Sequence, residues 1–294
     1  MLASLPRPLI AALVMLIAGI STVGHCSTLL VFALMRLLVP VPAFTRFISR
    51  VLIRIAESWI GVNSRLIEVF SKPEWEIAGL AGLSREGWYL VLSNHQSWVD
   101  ILVLQRVFNR RIPFLKFFLK SQLIWVPFLG LAWWALDFPF MKRYSKEFLE
   151  QHPELRGKDT EATRRACEKF ATVPVSVMNF VEGTRFTPAK HTRQQSPYQH
   201  LLRPKAGGVA FVLETMGELL QAIVDVTIVY PDGRPTMKDL ITGRVRRVRV
   251  LIQKRDIPQD LLGGSYESDP EYRERFQAWI NGLWEEKDRV LAQG

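Results

Sequence analysis

The stretch W-Y-L-V-L-S-N-H-Q-S-W-V-D at Trp88–Asp100 decides the fold class of this chain. Its first part, Trp88–Ser93, is an uninterrupted apolar run of the kind found in buried strands. The polar residues that follow end the strand, and Ser97 is a favourable N-cap for a helix predicted over Trp98–Phe108. A buried strand that leads directly into a helix is typical of an α/β domain.

The same alternation continues towards the C-terminus. Strands are predicted at Val175–Val181, Ala222–Tyr230 and Val245–Ile252, and helices at Thr160–Ala171, Gly208–Leu220 and Pro270–Ala292. The polar segment Lys190–His200 has no periodicity and is predicted to be a mobile loop. Together these segments predict an α/β domain whose central sheet is mostly parallel, largely buried and flanked by helices.

The composition excludes a disordered chain and indicates an anionic partner. Of the 294 residues, 48% are apolar, which is enough to build a core. The 38 Lys and Arg exceed the 28 Asp and Glu, and the net charge of +10 suits nucleic acid, anionic lipid headgroups or a phosphorylated substrate. The 9 Trp and 17 Phe favour lipid over nucleic acid. Two cysteines, Cys26 and Cys167, allow neither a disulfide framework nor a Cys-x-x-Cys metal site, and no metal site is predicted.

An uncharged run at Pro8–Met35 predicts a membrane segment. As a helix it would measure about 42 Å, more than the ~30 Å hydrocarbon thickness of a bilayer. A cleavable signal peptide is the alternative, but only Arg7 precedes the run, which is longer than a usual signal core. Whether the run crosses once or dips into one leaflet stays open, since Gly24 and His25 could mark a kink. The basic residues that follow place its C-terminal side in the cytoplasm: Arg36, Arg46, Arg50, Arg54 and Arg65.

The next segment, Phe44–Val69, has the pattern of an amphipathic helix. Its apolar stripe is formed by Phe47, Val51, Ile55 and Trp59, beside a stripe of Arg46, Arg50 and Arg54. Such a helix suits the headgroup layer of an anionic membrane, and an ordinary core-facing helix explains the pattern equally well. We therefore predict an N-terminal membrane segment over residues 1–72, with helices at 8–35 and 44–69, and a second domain over 73–294.

A second apolar run, Ser121–Met141, has Asp137 as its only charge. Its length would allow a membrane span. However, Pro127 and Gly130 interrupt it, and a crossing would place the two halves of the α/β domain on opposite sides of the membrane. A lipid-facing or buried element of that domain is therefore favoured over a span.

His95 and Asp100 are candidates for an acid–base pair. On a regular helix their spacing separates them by about 140°. They can meet only if His95 lies in the turn after the strand and Asp100 in the first helical turn, a geometry that Ser97 as N-cap would give. A carboxylate bonded to Nδ1–H leaves Nε2 free to accept a proton. In the alternative, Asp100 is only the acidic residue of the Ser97 cap.

A second cluster, E-G-T-R at Glu182–Arg185, follows the predicted strand Val175–Val181. Glycine at the end of a buried strand allows a sharp turn, and the arginine can present its guanidinium to a phosphate. As a set, the neighbouring basic residues could complete an anion site, although solvated surface charge is the ordinary explanation of each one. They are Arg106, Arg110, Arg111, Lys116, Lys120, Lys142, Arg143 and Lys205.

These motifs resemble those of the PlsC-like glycerolipid acyltransferases, the 1-acylglycerol-3-phosphate acyltransferase family. Asn94–Asp100 resembles the family's N-H-x4-D block, and Phe180–Arg185 resembles F-P-E-G-T-R, with Val181 in place of proline. The intermediate block, which ends in F-x-x-R, and the final apolar block are matched by Lys120, Pro127, Gly130, Phe140–Arg143 and Val226–Pro231. The ending at Trp279–Asp288 is similar to the branch that holds bacterial YihG-type proteins and lysocardiolipin acyltransferases.

The resemblance implies a glycerolipid acyltransferase-like α/β fold and a membrane-bound acyltransferase. The enzyme would transfer a fatty acyl group from acyl-CoA or acyl-acyl carrier protein, as co-substrate and with no bound cofactor, to the sn-2 hydroxyl of 1-acylglycerol 3-phosphate. His95 would be the general base and Asp100 would orient it. The implied phosphate site comprises Glu182, Gly183, Thr184, Arg185, Lys120 and Arg143, with Asn94 and Lys205 as further candidates.

The implied partners are membrane lipid and the acyl donor, without nucleic acid. The implied location is the bacterial inner membrane, with the catalytic domain on the cytoplasmic side. One alternative is another acceptor, either a lysocardiolipin-like lysophospholipid or glycerol 3-phosphate. Another is a membrane-anchored basic protein that binds nucleic acid or anionic lipid without turnover, for which the two motifs would be unnecessary.

Overall fold

A six-stranded sheet organises the C-terminal part of the chain in the computed structural model, which describes residues 6–141, 170 and 173–293. The strands are β1 (Glu74–Ala78), β2 (Tyr89–Ser93), β3 (Leu115–Phe117), β4 (Leu119–Lys120), β5 (Phe140–Met141), β6 (Ser176–Phe180), β7 (Ala222–Val229) and β8 (Arg247–Arg255). The spatial order in the sheet is β1-β8-β7-β2-β6-β3, and β4 and β5 form a separate pair. Strands β7, β2, β6 and β3 are parallel, whereas β8 is antiparallel to β7 and parallel to β1. The prediction of an α/β fold with a mostly parallel sheet is confirmed.

The helices surround this sheet and extend from it at the N-terminus. They are α1 (Arg7–Leu38), α2 (Pro42–Leu66), α3 (Val99–Phe108), α4 (Leu129–Ala135), α5 (Pro188–Gln194), α6 (Gly207–Met216), α7 (Met237–Ile241) and α8 (Pro270–Ala292). A π-helical turn follows α2 at Ile67–Ser71, and short 3-10 turns lie at Ser121–Trp125 and Gln259–Leu261.

Strand β2 divides the core because successive side chains of a strand point to opposite faces. Leu90 and Leu92 pack in one apolar cluster with residues of α6 and α8. Tyr89 and Val91 pack on the other face, in a cluster with residues of α3. All five residues of β2 are buried, as expected for a central strand covered on both faces.

Helices α1 and α2 form an N-terminal helical hairpin that packs against α4. Pro40 and Pro42 separate the two helices, since proline disfavours continuation of the first and suits the start of the second. Buried residues of the contact include Leu29 on α1 and Leu52 on α2. At 32 residues, α1 is long and apolar enough to cross a membrane, and only a small part of it is buried in the protein. The apolar helix predicted at residues 8–35 is confirmed.

The amphipathic helix predicted at 44–69 is also present, but its buried stripe is displaced by one residue from the predicted one. Ile48, Leu52 and Ala56 face the core, whereas Phe47 is 57% exposed. The core-facing interpretation therefore holds for one face of this helix, and contact of the opposite face with lipid headgroups stays a prediction. One face packs in the protein, and the opposite side presents Phe47 with Arg46, Arg50 and Arg54 to the surroundings.

Ser121–Met141 agrees with the interpretation favoured from the sequence, an element of the domain and not a span, whereas Lys190–His200 differs from its prediction. Ser121–Met141 is broken into a 3-10 turn, the seven-residue α4 and β5, each far too short to span a bilayer. Lys190–His200 was predicted to be a loop, but α5 occupies its first half because Thr187 caps the helix by accepting from the backbone N–H of Lys190. The helix predicted at Thr160–Ala171 lies outside the described residues, apart from Phe170.

The C-terminal helix α8 is joined to the central sheet by buried charges. Lys287, which is 2% exposed, forms an ion pair with Asp225 on β7 and donates to the Val226 carbonyl at 2.7 Å. Arg255 on β8 binds the other carboxylate oxygen of Asp225 at 3.0 Å. Because a buried charge is costly without a partner, these contacts fix the position of α8 against β7.

Candidate active site

The His–Asp pair lies at the carboxyl end of β2, in the middle of the sheet. His95 is in the turn after the strand and Asp100 is in the first turn of α3. Their side chains meet, with Nδ1 of His95 at 2.9 Å from Oδ2 of Asp100. His95 is 8% exposed and Asp100 is 0% exposed. This edge of a parallel sheet is where α/β proteins hold their ligands.

Asp100 also performs the helix-capping role of the alternative interpretation. Its Oδ2 accepts the backbone N–H groups of Gln96 at 2.6 Å and Ser97 at 2.8 Å. The Ser97 hydroxyl in turn accepts the N–H of Val99 at 3.1 Å. The two interpretations of Asp100 are therefore compatible, because one carboxylate both closes the turn and holds the imidazole.

Tyr230 completes the ligation of Asp100 and was missed as a site residue by the sequence analysis. Its hydroxyl donates to Oδ1 of Asp100 at 2.6 Å. Burial, followed by the charge of Asp100 and this hydrogen bond, raises the pKa of Tyr230 well above its ordinary value. The available signal was its position at the end of the predicted strand Ala222–Tyr230, where a polar group can reach the same sheet edge as His95.

The imidazole of His95 is also held by an aromatic contact. Phe180, the last residue of β6, stacks on it with ring centroids 3.8 Å apart and an angle of 12° between the planes. The Nε2 atom of His95 makes no hydrogen bond within the part of the chain that the structure describes. A neutral imidazole whose Nδ1 carries the proton therefore presents Nε2 as a free acceptor.

Glu182 has a different place from the one predicted for a phosphate-binding residue. It is 0% exposed, and its carboxylate accepts the backbone N–H groups of His95 at 2.8 Å and Leu202 at 3.0 Å. Burial raises the pKa of Glu182 to about 8, against the lowering effect of these two N–H groups. Its carboxylate thus joins the His95 turn to the loop before α6, and a direct contact of Glu182 with phosphate stays a prediction.

Asn94 is likewise a structural residue and does not face the site mouth. It is fully buried, and its amide donates to the Ile228 carbonyl and accepts the Ile228 N–H, both at 2.9 Å. It thus continues the pairing of β2 with β7 beyond the last strand residue. This pairing fixes the start of the turn that carries His95.

The rest of the E-G-T-R segment forms the open side of the site. Gly183 has a φ of +67°, and a β-carbon there would come within 3.2 Å of the Lys205 side chain. Thr184 accepts from Nζ of Lys190 at 2.7 Å. Lys205 is exposed. The ammonium groups of Lys190 and Lys205 therefore both lie next to this turn.

Two guanidinium groups lie on aromatic rings at this open side. Arg185 is 4.1 Å from the ring centroid of Trp98, and Arg234 is 3.6 Å from that of Phe186. The N–H of Phe186 donates to the His95 carbonyl at 2.8 Å, which keeps both loops next to the His95 turn. Arg234 was not singled out by the sequence analysis, because a lone arginine after a strand has no distinctive pattern.

Two predicted phosphate ligands are not placed at the site by any described contact. Lys120 is exposed on the short strand β4, where it pairs with Met141. Arg143 lies outside the described residues. Their participation stays a prediction.

The chain is similar in sequence to known proteins. The family model described as Acyltransferase matches residues 74–231. The chain is 26% identical over 266 residues to lysocardiolipin acyltransferase 1 of Gallus gallus, covering 85% of this chain and 64% of the relative. It is 25% identical over 227 residues to 1-acyl-sn-glycerol-3-phosphate acyltransferase epsilon of Mus musculus, covering 69% and 57%. The chain thus spans about three fifths of the length of these curated relatives.

A solved structure shows the same fold. It is the 1-acyl-sn-glycerophosphate (LPA) acyltransferase PlsC from Thermotoga maritima, which superposes with a TM-score of 0.56. The match covers 96% of both chains, at 17% sequence identity. At this identity the likeness concerns the fold.

The raised pKa of Glu182 predicts a pH-dependent stability. Because the folded-state pKa of about 8 exceeds the ordinary value of 4.5, the contribution of Glu182 is fully present below pH 4.5 and is lost as the pH rises through 8. In detergent, we expect the unmodified protein to melt at a higher temperature than Glu182→Gln. The difference in melting temperature should be largest near pH 5 and should shrink towards pH 9. Tryptophan fluorescence during heating measures the melting temperatures of both proteins.

The exposed Glu86 offers a matched control, and Glu86→Gln should melt with the pH dependence of the unmodified protein. A difference between the unmodified protein and Glu182→Gln that stays constant from pH 5 to 9 would show that Glu182 does not titrate in this range.

Proposed function

Since the chain belongs to the Acyltransferase family, we propose that it transfers a fatty acyl group from a thioester donor to a lysophospholipid hydroxyl. The family resemblance drawn from the motifs is confirmed, and the assignment to the YihG-type branch stays a prediction. The proposed acceptor is 1-acylglycerol 3-phosphate, acylated at its sn-2 hydroxyl. The proposed donor is acyl-CoA or acyl-acyl carrier protein, which would bind as a co-substrate.

The observation that supports this proposal most strongly is the set of contacts made by the His95 ring. Its Nδ1 is bonded to a buried carboxylate, its ring is stacked on Phe180 and its Nε2 is unoccupied by any described group. Nε2 would accept the proton of the acceptor hydroxyl as the oxygen attacks the thioester carbonyl carbon. The tetrahedral intermediate would then collapse with cleavage of the C–S bond, and the departing thiolate would take the proton back from His95.

The cations of the open side support an acceptor that carries phosphate. Arg185 and Arg234 each rest on an aromatic ring, and no carboxylate lies within ion-pair distance of either guanidinium among the described residues. A phosphate would supply the missing negative charge, and guanidinium can bind it through two parallel hydrogen bonds. We propose Gly183, Thr184 and Arg185 as the core of this site, with Lys205, Lys120 and Arg143 as additional cations.

The N-terminal helical hairpin supports a membrane location. The apolar helix α1 is long enough to cross a bilayer, with Arg36 in its last turn, and Arg46 and Arg50 follow it in the sequence. We propose the cytoplasmic face of a bacterial inner membrane as the location, by the positive-inside rule. The partners would be membrane lipids and the acyl donor, without nucleic acid.

A lysocardiolipin-like acceptor is the second candidate, and the similarity to lysocardiolipin acyltransferase 1 favours it. Glycerol 3-phosphate is a less favoured acceptor, because a soluble substrate needs no membrane-bound enzyme. Purified protein assayed with one acyl-CoA and a panel of these three acceptors decides between them. Absence of acyl transfer to every acceptor from both donor types would contradict the proposed function.

Replacement of the general base should abolish the reaction. We expect His95→Ala to lower kcat by about 100- to 10,000-fold, the usual loss for a general base, while the melting temperature changes little. His200→Ala is the matched control, because the described hydrogen bonds of His200 come from its backbone and not from its ring. Near-normal turnover by His95→Ala would contradict the mechanism.

Replacement of Arg185 should act on the acceptor. A hydrogen bond to a charged group contributes on the order of 1.5–3 kcal/mol, so Arg185→Ala should raise the acceptor KM roughly 10- to 100-fold. The donor KM should stay within about 2-fold, and Arg185→Lys should recover only part of the loss because an ammonium cannot form the planar double contact.

The exposed Arg193 on α5 provides the control for this experiment, and Arg193→Ala should leave both KM values unchanged. Equal increases in the donor and acceptor KM values for Arg185→Ala would contradict an acceptor-phosphate role.

Exposed aromatic side chains next to the helical hairpin should contact lipid. Trp125 is 84% exposed and Trp134 is 46% exposed, on the segment that packs against α1 and α2. In vesicles of brominated phospholipid, which quench tryptophans in contact with acyl chains, we expect Trp125→Phe and Trp134→Phe to reduce the quenched fraction. Trp279→Phe on α8 should not reduce it. If the quenched fraction is equal in all three variants, the segment that carries Trp125 and Trp134 does not touch the bilayer.

A further inference from the structure

The two carboxylate oxygens of Asp100 accept different numbers of hydrogen bonds, and Tyr230 supplies the donor for one of them. Three donors converge on Oδ2, namely Nδ1 of His95 and the backbone N–H groups of Gln96 and Ser97. Within the described residues, Oδ1 accepts from the Tyr230 hydroxyl alone, at 2.6 Å. Without Tyr230 this oxygen would be a fully buried carboxylate oxygen with no donor, which is a costly state.

We propose that Tyr230 is a positioning residue for the reaction, because its hydroxyl holds Oδ1 of Asp100 and thereby keeps Oδ2 on Nδ1 of His95. The inference rests on the proposed function, since it assigns Tyr230 a part in preparing the general base. Rotation of the Asp100 carboxylate would break the bond to Tyr230 and the bonds to the turn together. The imidazole is therefore fixed from β7 as well as from α3.

The hydrogen bond from Tyr230 also affects how strongly the Asp100 carboxylate attracts a positive charge on the imidazole. Each donor withdraws charge from the carboxylate, so a carboxylate with four donors stabilises a neighbouring imidazolium less than one with three. Loss of the Tyr230 hydroxyl would therefore strengthen the attraction of Asp100 for a protonated imidazole. The raised pKa of Tyr230 keeps its hydroxyl protonated, and thus a donor, at neutral pH.

The charged groups on the segments packed round His95 come from three elements. Asp100 is on α3, Glu182 and Arg185 follow β6, and Arg234 follows β7. Replacement of Tyr230 by Phe leaves all four in place and removes one oxygen atom. A change in the pH dependence of His95 can then be attributed to the lost hydrogen bond.

Tyr230→Phe tests the proposal in the full chain purified in detergent. We expect kcat to fall roughly 10- to 100-fold, while the KM values of donor and acceptor stay within about 2-fold, since the hydroxyl is buried and contacts a charged group. The acid limb of the kcat/KM profile should move to higher pH. The matched control is Tyr272→Phe, because Tyr272 is 1% exposed and its hydroxyl donates to the Leu261 carbonyl at 2.7 Å, away from Asp100.

A double-variant cycle separates action through Asp100 from a general loss of stability. In an Asp100→Asn background, Tyr230→Phe should cause little further loss of kcat, because the carboxylate on which it acts is absent. Losses that multiply independently, or an equal fall in kcat for Tyr272→Phe, would overturn the proposal.

A second readout does not need turnover. Diethyl pyrocarbonate modifies neutral imidazole, and mass spectrometry of the His95 peptide gives the pH midpoint of the reaction. We expect Tyr230→Phe to raise this midpoint and Tyr272→Phe to leave it unchanged, and an unchanged midpoint in Tyr230→Phe would overturn the proposal. If the unmodified protein transfers no acyl group to any acceptor, the proposed function fails while this measurement still decides the role of Tyr230.

Discussion

A single buried carboxylate, Glu182, connects the loops from which the site is built. It accepts one N–H from the His95 turn after β2 and one from Leu202, which precedes α6. The loop before Leu202 is in turn held by Asp288 of α8, which accepts the N–H groups of Gln199 and His200 at 2.8 and 2.7 Å. A continuous path of side-chain-to-backbone hydrogen bonds thus runs from the last helix to the histidine. The order of His95 consequently depends on α8, a helix much later in the chain.

Much of this architecture follows from local sequence. The run Trp88–Ser93 is apolar at every position but the last, so a strand covered on both faces is the ordinary outcome, and the structure has β2 there. The spacing of His95 and Asp100 permits contact only across a strand-to-helix turn, and that turn is present. Short or polar strands such as β1 and β3 were missed, because their pairing depends on neighbours that are distant in the sequence.

The site was predictable where a motif is contiguous and unpredictable where it is assembled from distant segments. Tyr230 and Phe180 reach Asp100 and His95 only because β7 and β6 flank β2 in the sheet. The contacts of Glu182 were not predictable for a related reason, and its predicted contact with phosphate stays a prediction. Its neighbours in the sequence indicate an anion-binding turn, whereas burial under Leu202 converts it into an acceptor of backbone N–H groups.

Polar contacts hold α1 against α2 and against the segment after α4, and they restrict changes in the length of α1. Nε2 of His25 lies 3.3 Å from the Ser58 hydroxyl, Trp59 donates to Thr22 at 3.0 Å, and Arg36 pairs with Asp137 at 3.0 Å. One residue inserted into α1 between the contacts would rotate them by about 100° and separate them by a further ~1.5 Å. The register of α1 against α2 is therefore fixed by these contacts. A change in the length of α1 between these contacts would misalign the hairpin with the sheet.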